Sequence, residues 1–163
     1  MCADRLTAIT QRIGFAIWQI QELEGVAAQY FVLAAQTTRG MGTEAGNLLL
    51  EKAWKRTFGA TIRDMAKASI LSTELEARFT RLLAERNWLV HKSRSESRGA
   101  IDSDAAAQRL VSRLTSMADE ATQLLREIGA LAERHVRRHG ISEEQITEAA
   151  SRMLAEWHAV DAI

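Results

Sequence analysis

Proline is missing from all 163 residues, and cysteine occurs only once. Loops and turns commonly use proline, so its absence favours long, uninterrupted helices. The single cysteine, Cys2, can form neither an internal disulfide nor a cysteine-rich zinc site. These two shortages exclude the disulfide-stapled and the cysteine-ligated zinc classes of small domain.

An excess of charge of one sign is also missing, because 21 basic residues balance 21 acidic ones. A polybasic, histone-like nucleic-acid binder is therefore excluded, although an enzyme that acts on RNA needs only a local cationic patch. No stretch approaches the roughly 20 apolar residues of a membrane span, and the N-terminal MCADRLTAIT lacks the apolar core of a signal peptide. We therefore expect a soluble cytoplasmic protein with no membrane partner.

Strong helix formers are abundant instead, and apolar residues recur at steps of three and four. This pattern predicts an all-α fold, an up-and-down helical bundle of four main helices plus a short helix and a C-terminal amphipathic helix. We expect one domain over residues 1–163, with a core at about 4–139 and an appended helix at about 142–160. The predicted helices cover residues 4–36, 44–58, 60–68, 73–91, 102–139 and 142–160.

Capping residues mark several of the predicted helix ends. Ser72 or Thr73 begins the third long helix, and Gly59 is interpreted as the C-terminal stop of the second. Ser142 and Gln145 have the spacing of a capping box for the last helix. In the fourth long helix a seven-residue repeat is typical of helices packed in a bundle, and it predicts that four leucines are buried: Leu110, Leu114, Leu124 and Leu131.

Glycines inside the first helix, Gly14 and Gly25, predict the close approach of a neighbouring helix. The glycine-rich residues 37–47 follow no strand and precede no Gly-Lys-Ser/Thr, so we interpret them as a helix connection and not as a phosphate-binding loop. No cofactor is predicted. Two aromatic residues, Phe15 and Trp18, lie off the buried stripe and indicate a second packing surface or an interface.

One arginine in the third long helix is not explained by simple packing. Six apolar residues share a sector of about 120° on a helical wheel, and Arg86 falls near the middle of it. An unpaired buried charge is very costly. Arg86 therefore either forms a structural salt bridge, with Glu22, Glu51 or Asp64 as candidate partners, or is held in a cleft for a ligand.

Two further polar side chains, Asn87 and His91, are four residues apart and share one edge of that stripe. The C-terminal end of a helix favours the protonated imidazole, and histidine exchanges protons near neutral pH. Arginine offers a planar fork of donors that matches phosphate oxygens. An arginine, an amide and an imidazole at one helix end therefore suit a phosphodiester substrate.

The stretch ERNWLVHK, residues 85–92, resembles the signature of the HEPN superfamily, in which an arginine precedes a histidine by a few residues. RNWLVH matches the form found in many bacterial HEPN proteins, and Asn87 takes the polar position after the arginine. The upstream TFGATIRDM, residues 57–65, resembles the segment that precedes this motif. The resemblance covers roughly residues 4–136 and leaves the last helix outside.

This resemblance implies a ribonuclease that cuts RNA without a metal, in a cleft lined by the motifs of two protomers. By the same resemblance His91 transfers the proton of the ribose 2′-hydroxyl, and Arg86 holds the scissile phosphate and stabilises its developing charge. Asn87 orients one of these groups or binds a phosphate oxygen. The product ends in a 2′,3′-cyclic phosphate, because the nucleophile is the 2′-oxygen.

The polar segment KSRSESRGA after the motif is expected to be a loop. Its cations, Lys92, Arg94 and Arg98, are candidates for clamping the RNA backbone, and solvated loop charge is an equally good explanation. His135 and His139 have the spacing of metal ligands, but no carboxylate or cysteine completes a set, and no metal site is predicted.

Two functional hypotheses stay open. The first is an endoribonuclease, the toxin of a toxin–antitoxin or phage-defence system, with RNA as substrate and an antitoxin or regulatory protein as partner. It predicts a symmetric homodimer with Trp88 near the contact, because Trp88 lies opposite the core stripe. The second is a non-catalytic helical interaction module that binds a protein or a nucleotide. In that case Arg86 and His91 are buried and paired.

Overall fold

The computed structural model describes residues 2–160, apart from the side chains of residues 2, 157, 159 and 160. Within this range the chain contains helices and no strand, which confirms the all-α prediction. The α-helices are α1 (Cys2–Phe31), α2 (Thr43–Trp54), α3 (Phe58–Lys67), α4 (Thr73–His91), α5 (Ser93–Glu96), α6 (Asp104–Arg138) and α7 (Glu143–Val160). A π-helical turn, Val32–Gln36, extends α1, and a 3₁₀ turn, Arg98–Ala100, follows α5.

The chain divides into two units, one that ends at Gly129 and one that begins at Ala130, so the boundary falls inside α6. In the first unit α1 contacts α2, α3 and α4, and α3 contacts α4. The up-and-down order of a bundle stays a prediction. In the part of the chain that the structure describes, no helix is long and apolar enough to cross a membrane.

Fully buried side chains of the first unit come from four helices: Ile20 and Leu23 of α1, Met65 of α3, Phe79 and Leu82 of α4, and Leu114, Leu124 and Ile128 of α6. The predicted burial of Leu110, Leu114 and Leu124 is confirmed. The prediction for Leu131 is wrong, because this side chain is only half-buried; it lies in the second unit, beyond the well-packed part of α6.

Local capping signals placed two helices correctly. The Ser72 hydroxyl accepts a hydrogen bond from Leu75 N at 3.2 Å, and α4 ends at His91 as predicted. In the second unit Gln145 N donates to Ser142 Oγ at 3.3 Å, and Ser142 N donates to Gln145 Oε1 at 2.9 Å, so the capping box is confirmed. Gly140, with φ +87°, occupies the left-handed conformation that favours glycine after a helix.

The predicted junction between the second helix and the short helix is wrong. α2 ends at Trp54, and Thr57 caps α3 by accepting a hydrogen bond from Ala60 N at 3.3 Å. Gly59 therefore lies in the first turn of α3 and is no helix stop. Its role is close packing, because a Cβ there would lie 3.1 Å from Leu83 Cδ2.

The explanation offered for Gly14 and Gly25 is also wrong. A Cβ built at either glycine would have no atom within 4 Å, so no neighbouring helix approaches them. On the same helix Phe15 and Trp18 are 50% and 63% exposed.

In α7, which was predicted to be amphipathic, Met153 is likewise exposed. The predicted apolar face also includes Trp157 and Val160, whose side chains lie outside the described residues.

Two arginines connect α4 to α6 through ion pairs with glutamates. Arg78 of α4 is bonded to both Glu120 and Glu127, with 2.8 Å between its Nε and Glu120 Oε1. These hydrogen bonds to carboxylates raise the pKa of Arg78. A second connection is formed by Arg113 of α6, which donates to both carboxylate oxygens of Glu85 of α4 at 2.7 and 3.0 Å. Together these ion pairs fix the rotation of α4, the helix that carries the motif, about its own axis.

Candidate active site at the end of helix α4

The predicted trio lies in the last turns of α4, and His91 is the final residue of that helix. The last turn of α4 keeps the regular α-helical hydrogen bond, because Lys92 N donates to Trp88 O at 2.8 Å. A regular helix therefore sets the directions in which Arg86, Asn87 and His91 project.

Arg86 is neither fully buried nor free. Its side chain is 35% exposed, and its Nε donates to Glu24 Oε1 on α1 at 3.2 Å. The predicted partners Glu22, Glu51 and Asp64 are wrong; Asp64 pairs instead with Arg56, with 2.5 Å between the oxygen and the nitrogen. Sequence reasoning missed Glu24 although a signal was present, since Glu24 follows the buried Ile20 by four residues and so continues the inner face of α1.

Asn87 and His91 are both exposed. Neither has a hydrogen-bond partner within the described residues, so the amide and the imidazole are free to meet a ligand. Their spacing of four places them on one face of α4. Arg86 projects elsewhere, because five residues of an α-helix separate it from His91 by about 140° around the axis. The trio thus lies at one helix end without converging on one point of a single chain.

Cavities in the first unit are lined by other residues. The one nearest to the ion pair has a volume of about 280 Å³ and is bounded by α1, α2 and α3, with Glu24 and Gly25 on its wall. Arg86, Asn87 and His91 line none of the four cavities described for this chain. The trio therefore lies outside these four cavities, with Asn87 and His91 exposed and Arg86 paired with Glu24.

Trp88 is engaged within its own chain. The Arg113 guanidinium lies over the indole, with its Cζ 3.3 Å from the ring centroid. The indole N–H donates to Glu96 Oε2 at 2.5 Å, which ties α5 back to α4. An exposed ring was the reason for expecting Trp88 at a subunit contact, and that reason does not hold, because one ring face and the N–H are already occupied.

The segment after the motif is a short helix and a 3₁₀ turn where a loop was expected. It presents Lys92, Arg94 and Arg98 as exposed cations. None of the three forms an ion pair within the described residues. Arg94 and Arg98 lie on the wall of one cavity of about 370 Å³, and Lys92 does not. The structure therefore brings two of the three candidate RNA-binding cations together.

In the second unit the rings of His135 and His139 are 4.4 Å apart, and His139 Nδ1 lies 2.9 Å from His135 O. Burial lowers the pKa of His135, and the neighbouring His139 and Arg138 lower it further. Within residues 2–160 no group of three or more histidine, cysteine, aspartate or glutamate side chains is arranged to hold a metal ion.

No protein-family model, no curated protein and no solved structure matches this chain. The resemblance to the HEPN superfamily accordingly depends on the motif at the end of α4 and on the segment that precedes it.

Proposed function

We propose that the chain is a metal-independent endoribonuclease of the HEPN type, which acts as a homodimer in the cytoplasm and serves as the toxin of a toxin–antitoxin or phage-defence system. The observation that carries the proposal is the exposure of Asn87 and His91, side by side at the end of α4 and without a partner in the described chain. Polar side chains that are buried in a core are almost always hydrogen-bonded to the protein, whereas these two are exposed and stay available to a ligand.

The reaction needs few groups. His91 accepts the proton of a ribose 2′-hydroxyl, and the 2′-oxygen attacks the adjacent phosphorus while the bond to the 5′-oxygen breaks. The leaving 5′-oxygen takes up a proton from water, and the 2′,3′-cyclic phosphate stays on the upstream fragment. Proton transfer of this kind typically contributes about 10²–10⁴-fold in rate. Arg86 stabilises the charge that develops on the phosphate oxygens.

A second protomer is part of this proposal. Arg86 and His91 diverge by about 140° around α4, so a phosphate that meets His91 of one protomer is better placed to meet Arg86 of the other. The outward face of α1 supports pairing, because it carries Phe15 and Trp18, which are 50% and 63% exposed. Large exposed apolar groups of this kind often mark interfaces.

The ion pair between Arg86 and Glu24 favours the second candidate, a non-catalytic helical interaction module. The charge of this guanidinium already has a carboxylate partner without a substrate, through its Nε. In the ribonuclease, by contrast, the phosphate competes with Glu24 for Arg86. The two candidates therefore differ in whether RNA reaches Arg86.

The test is cleavage of a labelled RNA by the purified wild type, by His91→Ala and by His158→Ala. His158, on α7, is an exposed histidine outside the motif and serves as the matched control. We expect cleavage by the wild type and the control in excess EDTA, a cyclic phosphate end, no cleavage of DNA, and no cleavage by His91→Ala. Activity that disappears with chelator and returns with a divalent ion would overturn the mechanism. A folded wild type that cuts no RNA would favour the interaction module.

A further inference from the structure

Beside the motif, α1 and the segment after α4 line a cavity of about 370 Å³ whose apolar interior has no role in the proposed cleavage reaction. Its floor is buried and apolar, formed by Ile9 and Leu110. Its margin is also apolar, since Leu6 and Ile101 line it and are 46% and 37% exposed. Leaving such apolar surface in water is unfavourable.

The polar lining of this cavity consists of two arginines and three hydroxyl side chains, those of Thr10, Ser93 and Ser97. The Thr10 hydroxyl donates to Leu6 O at 2.9 Å, and the Ser93 hydroxyl donates to Leu89 O at 2.6 Å, so both are used within their helices. No acidic residue lines the cavity in the described chain. Arg94 and Arg98 line it, and neither has an ion-pair partner among residues 2–160. The cavity thus combines an apolar interior with two unneutralised guanidinium groups.

A clamp at one end holds the walls together. Arg5 Nε lies 2.5 Å from Asp104 Oδ1, and Arg5 Nη1 donates to Ile101 O at 3.0 Å. These contacts fix the start of α1 against the turn that carries Ile101. The Trp88–Glu96 hydrogen bond fixes the other wall by tying α5 to α4. A cavity whose walls are held in advance loses less free energy on ordering when a ligand binds.

We infer that this cavity binds a small amphipathic anion, an aliphatic chain of medium length with a carboxylate or phosphate head. The aliphatic chain of the ligand packs against Leu6, Ile9 and Ile101. Its anionic head group pairs with Arg94 and Arg98. Sites for small molecules have volumes of about 300–1,000 Å³ and are mostly apolar, with a few placed polar groups. This inference goes beyond the proposed ribonuclease and does not depend on it.

The experiment is calorimetric titration of the full chain with octanoate, octyl phosphate, octanol and acetate. Octanol lacks the charge and acetate lacks the chain, so we expect both to bind at least about tenfold more weakly than one of the octyl anions. Comparison of octanoate with octyl phosphate identifies the head group. Bound ligand should also raise the melting temperature of the chain. Equal binding of octanol and the octyl anions, or no binding of any probe, would overturn the inference.

Variants separate the site from non-specific binding. Arg98→Gln and Arg94→Gln should each weaken the octyl anion by about tenfold, the loss of one charge-assisted contact, and leave octanol unchanged. Arg126→Gln, on the exposed side of α6, is the matched control and should bind like the wild type.

Leu6→Gln should weaken the binding of the anions and of octanol alike. If this variant fails to fold by circular dichroism, Ile101→Gln replaces it. Arginine variants that bind the octyl anion like the wild type would reject the site. No RNA enters these assays, so their failure is distinct from failure of the ribonuclease.

Discussion

Glu24 on α1 and Arg86 on α4 form an ion pair across the first unit, with 3.2 Å between Glu24 Oε1 and Arg86 Nε. Both side chains are partly exposed, so the pair contributes little to folding, about 0–1 kcal/mol. Its importance is electrostatic, because a carboxylate beside Arg86 repels any phosphate that approaches the guanidinium. The proposed function therefore predicts that Glu24 competes with RNA for Arg86.

Replacing Glu24 with glutamine should tighten RNA binding severalfold, since it removes that repulsion and leaves an amide of the same shape. The free energy of unfolding should change by no more than about 1 kcal/mol. Fluorescence anisotropy with a labelled RNA in a His91→Ala background measures binding without cleavage. Glu22→Gln, also on α1 and exposed, is the control for a general loss of negative charge. Weaker RNA binding by Glu24→Gln would mean that the carboxylate orients Arg86 for the phosphate.

Leu114 is 1% exposed in the first half of α6, and its replacement by alanine should lower the free energy of unfolding by about 2–5 kcal/mol, as for other buried leucines. Urea unfolding followed by circular dichroism gives the value. Leu154→Ala is the matched control, because Leu154 is 52% exposed and should cost much less. Equal effects of the two substitutions would contradict the burial of this part of α6.

Features that depend on a few neighbouring residues were predictable from the sequence. Ser72 and the Ser142–Gln145 pair set helix starts through hydrogen bonds to the next turn, so their spacing was enough. Gly59 misled because a glycine just after a helical segment is typical of a helix end, whereas its actual role, close packing against Leu83 of α4, is visible only in three dimensions.

The candidate site was less predictable, because its surroundings are tertiary. The wheel placed Arg86 in the buried sector of α4, but the depth of burial depends on how far α1 covers that sector, and the side chain stays one-third exposed. The wheel placed Trp88 opposite the same sector, and in the structure its ring is partly covered. Its cover comes from Arg113 of α6, whose contact with the ring no local pattern encodes.

Gly14→Ala should stabilise the protein by up to about 1 kcal/mol, because alanine is the better helix former and the new Cβ meets no atom within 4 Å. Gly59→Ala should gain less or destabilise, since Leu83 must move by a few tenths of an ångström to admit the Cβ. Thermal unfolding of the two variants beside the wild type measures the difference. A destabilising Gly14→Ala would indicate that another chain covers this face of α1.

His135 in the second unit should titrate below its ordinary pKa of 6.5, because burial disfavours the charged ring and the nearby His139 and Arg138 repel its proton. The folded chain then binds fewer protons than the unfolded chain between the lowered pKa and 6.5. Stability from this group is therefore complete above about pH 6.5 and is lost as the pH falls through that window.

The ring proton signals of His135, followed by NMR against pH, measure this pKa directly, and a His135→Gln variant assigns them. In a His139→Gln variant the pKa of His135 should rise but stay below 6.5, because burial, the largest cause, is retained. Hydrogen exchange of the amides around His135 should quicken as the pH falls through the window, once corrected for the intrinsic pH dependence of exchange. A pKa of His135 above 6.5 would instead mean that the negative end of α6 outweighs burial and the two neighbours.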